Sequence, residues 1–263
     1  MHGRHARTAV ESQATRRHLR LHSKEVEMTN DLSNARVLVV GGSSGIGLAT
    51  AAAFSRAGAA VTIGSRNGSK LEEAADSIGV RSVVLDTGNN QAIEDFFSVE
   101  QPFDHIVVSA AQTKGGAVGT LSLEDAKASM ESKFWGAYRI ARASRISEGG
   151  SLTFVSGFLS HRPSAASVLQ GAINAAIEAL ARGLALERAP VRVNTVSPGL
   201  IDTPIYGGMA DADRAAMFER TATRLPVGRV GKPEDIASAI LLLATNPFAT
   251  GSTLTVDGGG SIA

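Results

Sequence analysis

The stretch from residue 36 to residue 66 constrains the fold of this chain more than any other part of it. Apolar runs at 36–40 and 60–63 flank the glycine-rich segment 41–47 and an alanine-rich run that ends at Gly58. A strand, a tight turn, a helix and a second strand in this order form a βαβ unit. The first strand is apolar at nearly every position, as expected for a parallel strand that is buried on both faces.

Strand-like and helix-like segments alternate over the rest of the chain. Strands are predicted at 81–85, 103–108, 151–155, 191–196 and 253–256, and helices at 68–77, 89–97, 122–144, 165–188, 210–223 and 233–244. Alternating elements with short connections predict a parallel sheet with helices on both faces. We therefore expect an α/β fold with a Rossmann-type, doubly wound parallel sheet, in one three-layer α/β/α domain that spans residues 31–263.

Residues 1–30 differ in character from the rest of the chain. Arginine and histidine recur there, apolar residues are few, and the hydrophobic centre of a secretory signal is missing. An arginine-rich targeting peptide is one interpretation, although Glu11 and the interleaved histidines disfavour it. We favour a disordered extension or an upstream start codon, with Met28 as the candidate true start.

Composition excludes several classes of function. The chain of 263 residues has 43% hydrophobic and 19% charged residues, a net charge of +1 and no cysteine. The lack of cysteine excludes disulfides, thiolate chemistry and cysteine-ligated zinc. The small net charge and the lack of a long apolar run give no reason to expect nucleic acid or a membrane as a partner. We expect a cytoplasmic protein without a metal site.

The glycine-rich segment predicts a dinucleotide site. Gly41 permits a sharp turn off the strand, Gly45 lets the backbone approach a pyrophosphate, and Gly47 lets the helix pack closely on the sheet. The helix N-terminus then offers free N–H groups to the phosphates. The remaining candidates in this turn are Ser43, Ser44 and Ile46.

The end of the second strand indicates which dinucleotide binds. A ribose-reading acid is expected about 20 residues beyond the glycines, but Gly64, Ser65 and Arg66 stand there instead. A guanidinium pairs well with a 2′-phosphate, which favours NADP(H) over NAD(H). The alternative is that Arg66 is only a solvated loop residue.

Together with later motifs, these residues resemble the short-chain dehydrogenase/reductase family. The similar segments are Val191 to Gly199, Gly228 to Asp235 and Val256 to Gly259. The resemblance implies that Asp86 contacts the adenine and that the turn after the sixth strand faces the nicotinamide. The further cofactor-binding candidates that it implies are Thr87, Ala110, Pro198, Gly199, Ile201 and Thr203.

The family's catalytic residues are the part of the pattern that this chain does not share. The family uses a tyrosine and a lysine four residues apart, a serine and an asparagine, and these positions fall on Gln170, Asn174, Gly157 and Lys133. Ser156 lies one residue before the serine position. Because a glutamine amide cannot give up a proton near neutral pH, the family's usual mechanism is not available.

Two explanations are open. In the first, the protein is an atypical NADP(H)-dependent oxidoreductase in which Lys133 or His161 moves the proton, while Ser156, Gln170 and Asn174 hold the substrate oxygen or the ribose. In the second, it is a catalytically silent NADP(H)-binding sensor or structural subunit. The resemblance also implies a homodimer or homotetramer, formed through the two long helices and the C-terminal edge. The substrate, a carbonyl or alcohol, is not specified by the sequence.

Overall fold

The computed structural model describes residues 32–263, which form one α/β/α domain around a seven-stranded sheet. The strands are β1 (Arg36–Val40), β2 (Ala60–Ser65), β3 (Arg81–Val84), β4 (Phe103–Val108), β5 (Ile146–Val155), β6 (Arg192–Pro198) and β7 (Thr253–Val256). They are ordered β3-β2-β1-β4-β5-β6-β7, and every neighbouring pair is parallel. The predicted fold class is confirmed. The predictions made for residues 1–30 lie outside the described residues.

Helices connect consecutive strands and cover both faces of the sheet. They are α1 (Gly45–Arg56), α2 (Gly68–Ile78), α3 (Asn90–Val99), α4 (Leu123–Met130), α5 (Gly136–Ala143), α6 (Val168–Glu187), α7 (Asp211–Ala222) and α8 (Pro233–Thr245). One hydrophobic cluster joins α3, α5 and α6 to the sheet, and a second joins α1, α2 and α8 to the opposite face. In the described part of the chain, no helix is long and apolar enough to cross a membrane.

The strand order reverses between β1 and β4, and this positions the site. The connections that leave β1 and β4 run to opposite sides, so a crevice opens at the carboxyl ends of these strands. Residues that follow the strands therefore meet at one edge of the sheet.

Several element boundaries differ from the predictions. The helix predicted at 122–144 contains a π-turn at Glu131–Trp135, which separates α4 from α5. Helix α6 begins at Val168 and not at 165, because the amide of Ser167 closes a turn onto the carbonyl of Ser164. Strand β5 begins at Ile146, five residues earlier than predicted, across a shift in its register with β4.

Asp235 holds the start of α8. Its carboxylate accepts a hydrogen bond of 2.8 Å from the backbone N–H of Lys232 and pairs with the guanidinium of Arg229 at 2.7 Å. Arg229 first, and then the Lys232 amide, lower the pKa of Asp235 to about 2. The carboxylate thus satisfies an N–H group that the helix start would leave without a partner.

We expect Asp235→Ala to destabilise the fold by about 1 kcal/mol at neutral pH, the usual cost of losing a helix cap. Since the pKa of Asp235 is depressed in the folded state, its contribution is complete above about pH 4 and is lost as the pH falls through about 2. The measurement is urea unfolding at several pH values. Glu234→Ala removes an exposed carboxylate from the same turn and should leave stability nearly unchanged.

Candidate functional site

A cavity of about 600 Å³ opens at the carboxyl edge of the sheet. It is lined by the segments that follow β1 to β6, together with the π-turn and part of α6. Of the residues predicted to bind a cofactor, those on its wall are Gly41, Ser43, Ser44, Gly45, Ile46, Gly47, Ser65, Arg66, Thr87, Ala110, Pro198, Gly199, Ile201 and Thr203. All four predicted catalytic residues, Lys133, Ser156, Gln170 and Asn174, are on it as well.

Glycines shape one end of this cavity. Gly41 has a φ of +88°, a backbone conformation that residues with a side chain rarely adopt. A Cβ on Gly47 would lie 2.0 Å from the carbonyl oxygen of Gly41, so only glycine lets α1 begin this close to the end of β1. A Cβ on Gly45 would lie 3.3 Å from the side chain of Thr203, which places that threonine against the turn.

The N-terminus of α1 differs from those of the next three helices. Asn67, Asn89 and Ser122 each accept a hydrogen bond from a backbone N–H in the first turn of α2, α3 and α4. Ser44 makes no such bond at α1, and the first turn of α1 contains no acidic residue. Free N–H groups and the positive end of the helix dipole therefore face the cavity, an arrangement that suits a phosphate.

Cations lie beyond the glycine turn, at the end of β2. Arg66 is exposed and donates a hydrogen bond of 2.8 Å to the side chain of Gln112. The hydroxyls of Ser43 and Ser65 are 3.0 Å apart, and Lys70 from α2 also lines the wall. Among residues 32–263, those that line the cavity include three cations, counting Lys133, and no carboxylate. The electrostatic environment favours an anionic ligand.

Asp86 is the one predicted cofactor residue that is not on the cavity wall. Its carboxylate accepts a hydrogen bond of 3.0 Å from the N–H of Gly88, while its neighbours Leu85 and Thr87 line the cavity. The predicted contact between Asp86 and an adenine stays a prediction.

The other end of the cavity is built around Lys133, which lies in the π-turn. Such turns often occur at functional sites. The Lys133 Nζ donates one hydrogen bond of 2.6 Å to Asn174 Oδ1 and one of 2.8 Å to the carbonyl oxygen of Ser156. Burial of the ammonium lowers the pKa of Lys133 to about 8, against an opposing effect of the Glu178 carboxylate.

Asn174 and Gly157 depend on each other sterically. A Cβ on Gly157 would lie 2.7 Å from Asn174 Nδ2, so the amide occupies the space that a side chain at 157 would need. Asn174 is 3% exposed and is fixed by its bond to Lys133. One helical turn earlier, Gln170 donates a hydrogen bond of 2.8 Å to the hydroxyl of Thr113.

Behind this end lies a buried carboxylate that the sequence did not single out. Glu178 is 2% exposed, and its Oε1 accepts hydrogen bonds from the hydroxyls of Ser156 at 2.8 Å and Ser160 at 2.6 Å. Its Oε2 lies 3.3 Å from His161 Nε2. His161, predicted as an alternative proton donor, is not on the cavity wall and instead contacts Glu178.

Comparisons with known proteins agree with this geometry. A family model described as enoyl-(acyl carrier protein) reductase matches residues 40–261, and one described as the NAD(P)H binding domain of trans-2-enoyl-CoA reductase matches residues 7–68. Sorbose reductase of Schizosaccharomyces pombe is 36% identical, over 87% of this chain and 96% of its own length. The NADP-dependent (R)-specific alcohol dehydrogenase of Lentilactobacillus kefiri is 32% identical, over 88% and 98%. The chain belongs to the short-chain dehydrogenase/reductase family.

A solved structure is similar to this protein in both sequence and fold. It is a small-chain dehydrogenase in complex with NADPH, 35% identical, which aligns with a TM-score of 0.77 over 88% of this chain and all of its own. Membership makes this protein an NAD(P)-dependent oxidoreductase in the broad sense of the family. The glycine turn, the uncapped start of α1 and the cationic wall fit the dinucleotide of the family.

Sequence reasoning missed some of the residues that line the cavity of this protein. Lys70 lies four residues after Arg66 on the adjoining helix, and its spacing was a usable signal. Thr113 comes from a loop and Phe158 from a three-residue 3-10 turn, and neither is long enough to show a periodic pattern. Within residues 32–263, no group of three or more histidine or acidic side chains could hold a metal ion.

We expect Gly47→Ala to destabilise the protein by about 3 kcal/mol, because the added methyl would overlap the Gly41 carbonyl oxygen. Binding of either dinucleotide should be lost with the shape of the turn. Gly183→Ala is the matched control, since a Cβ there has nothing within 4 Å. That variant should keep or slightly increase stability in thermal unfolding. A Gly47→Ala protein as stable as the control would contradict the proposed close contact.

Proposed function

We propose that this protein is an NADP(H)-dependent oxidoreductase that interconverts a carbonyl and an alcohol, with Lys133 as the group that gives and takes the proton. The observation that carries the proposal is the placement of the Lys133 amine on the cavity wall, with two hydrogen bonds that fix its direction. The dinucleotide, when bound, supplies or accepts the hydride.

The two hydrogen bonds that Lys133 donates leave one N–H of its ammonium group free to react. An ammonium group carries three N–H bonds, and two of them are donated to Asn174 and Ser156. The third is the one that can be transferred to a substrate oxygen at which negative charge develops. A pKa of about 8 suits this role, because the group then changes its charge state near physiological pH.

The residues around Lys133 take positioning roles in this proposal. Asn174 holds the amine with its carbonyl oxygen, and Ser156 does so with its backbone carbonyl. Gln170 cannot give up a proton, but its amide can hold a substrate oxygen or the ribose. In this proposal, Lys133 of the π-turn takes the role of the family's tyrosine and lysine, whose positions on α6 are occupied by Gln170 and Asn174.

The preference for NADP(H) rests on the charges at the end of β2. Arg66 and Lys70 are exposed on the cavity wall, and no acid lies among the lining residues to bind a ribose hydroxyl. The bond from Arg66 to Gln112 is an exposed contact with a neutral acceptor, so exchange for a phosphate is favourable. The NADP-dependent relative and the NADPH complex support the same cofactor.

Substitution of Lys133 by methionine should abolish turnover while NADPH binding is retained. Turnover is followed as NADPH oxidation with a panel of ketones and aldehydes, and binding is followed by fluorescence titration. In the wild type, carbonyl reduction should fall as the pH rises through about 8, because the reaction needs the protonated amine. Alcohol oxidation should rise over the same range, because it needs the neutral amine.

Lys127→Met is the matched control for this prediction, because Lys127 is an exposed lysine in α4, six residues before Lys133. Its turnover should equal that of the wild type. Unchanged turnover in Lys133→Met would remove the lysine from the mechanism. Tight NADPH binding with no turnover of any carbonyl or alcohol in the wild type would support the alternative of a silent NADP(H)-binding protein.

Arg66→Ala should weaken NADPH binding by roughly 10- to 100-fold and change NADH binding little, since a charge-assisted hydrogen bond contributes about 1.5–3 kcal/mol. Both affinities are measured by fluorescence titration. Arg56→Ala removes the same charge from the opposite end of α1 and should change neither affinity. An equal loss for the two cofactors in Arg66→Ala would be evidence against the 2′-phosphate contact.

A further inference from the structure

Glu178 is a buried charge that the proposed mechanism does not use. It is 2% exposed and does not line the cavity, yet three polar groups from the segment that follows β5 converge on it. They are the hydroxyls of Ser156 and Ser160, and the imidazole of His161. A carboxylate is costly to bury and is retained only where hydrogen bonds or charges compensate for its lost hydration.

We propose that Glu178 is a positioning residue for Lys133, which keeps the amine in its ammonium form and prevents the Ser156 hydroxyl from acting as a second proton donor. This inference rests on the proposed function, because it concerns the same proton transfer.

Ser156 connects the two charges. Its carbonyl oxygen accepts the hydrogen bond of Lys133, and its hydroxyl donates to Glu178. Asn174, the other acceptor of Lys133, lies one helical turn before Glu178 on α6. The ammonium and the carboxylate are thus joined through one residue and one turn of helix, without direct contact.

The electrostatic link follows from burial. Low dielectric surroundings let charges interact over distances at which water would screen them. Burial lowers the pKa of Lys133, and Glu178 is the charge that opposes this effect. Without the carboxylate, desolvation alone would act on the amine, and its neutral form would be favoured further.

The orientation of Ser156 has a separate consequence. A serine hydroxyl has one hydrogen, and in this structure it is donated to Glu178 at 2.8 Å. The same hydroxyl cannot donate to a substrate carbonyl while that bond exists. Of Lys133 and Ser156, only the lysine then has a proton free for a substrate oxygen, and the serine contributes its backbone carbonyl.

Among residues 32–263, the other titratable groups near this cluster have partners of their own or stay neutral. Arg162 donates to the carbonyl oxygen of Gly260, Glu131 is paired with Arg139, and Lys114 is paired with Asp125. Tyr206, across the cavity, has a pKa that burial raises, so it stays neutral in the working range. His161 is half-exposed and faces the solvent side of Glu178. Glu178 is therefore the charged group that acts on the pKa of Lys133.

The test is a titration of Lys133 by NMR in the full chain with ¹⁵N-labelled lysine, compared between the wild type and Glu178→Gln. The midpoint of Lys133 should move from about 8 to lower pH, by about one pH unit. The pH at which carbonyl reduction is lost should move in the same direction by the same amount. A midpoint that does not move in Glu178→Gln overturns the proposal.

Glu187→Gln is the control, because it makes the same substitution at an exposed position on the same helix, and its midpoint should stay at the wild-type value. Glu178→Asp provides a second variant if Glu178→Gln does not fold. It keeps the charge but shortens the side chain, so the Lys133 midpoint should stay near 8 even if stability falls. A midpoint displaced in Glu178→Asp would contradict the electrostatic role.

Ser156→Ala tests the role of the Ser156 hydroxyl separately from the effect of Glu178 on the pKa of Lys133. The variant keeps the backbone carbonyl and the charge of Glu178, so the Lys133 midpoint should stay near 8. A loss of turnover by 100-fold or more with an unchanged midpoint would show that the hydroxyl donates to substrate, and would overturn this part. The NMR titration needs no substrate, so a shifted midpoint in a protein without turnover would reject the proposed function and leave the role of Glu178 intact.

Discussion

The close contact between Gly47 and the carbonyl of Gly41 is the constraint on which the site depends. With hydrogens in place of side chains, helix α1 begins almost against the end of β1. Its first N–H groups then lie at the edge of the sheet, where the strand order reverses and a crevice opens. A larger residue at Gly47 would displace the helix and its amides, and one at Gly41 would meet the backbone of Ala110.

The second constraint is the burial of two opposite charges at the other end of the cavity. Lys133 and Glu178 do not touch, but both bind Ser156: the lysine donates to its backbone carbonyl and the carboxylate accepts from its hydroxyl. Asn174 fills the space beside Gly157 and holds the lysine, so the residues at these positions are coupled sterically and electrostatically. Substitution of one of these residues alone would leave a buried polar group without a partner, so the residues of the site can be exchanged only together.

Much of the fold was predictable, because its patterns are local. Alternating apolar runs and helical segments indicated the parallel sheet, and β4 and β7 have the predicted bounds. The π-turn at Glu131–Trp135 was not predicted, since one extra residue within a helical turn leaves the hydrophobic pattern nearly unchanged. The early start of β5 was also missed, because its pairing with β4 shifts register there and Gly149 and Gly150 interrupt the strand pattern.

The sequence alone determined the fold class, because the alternation of strands and helices is a local pattern that repeats along the chain. It also located the glycine turn and Arg66, because both lie within about 30 consecutive residues. Only the tertiary structure decided which groups surround the Lys133 amine. Its partner Asn174 is 41 positions away, and Ser156 and Glu178, which are 22 apart, come together only when β5 and α6 pack. Whether a lysine stays a solvated cation or becomes a buried acid depends on its surroundings, and those surroundings are made by the packing of distant segments.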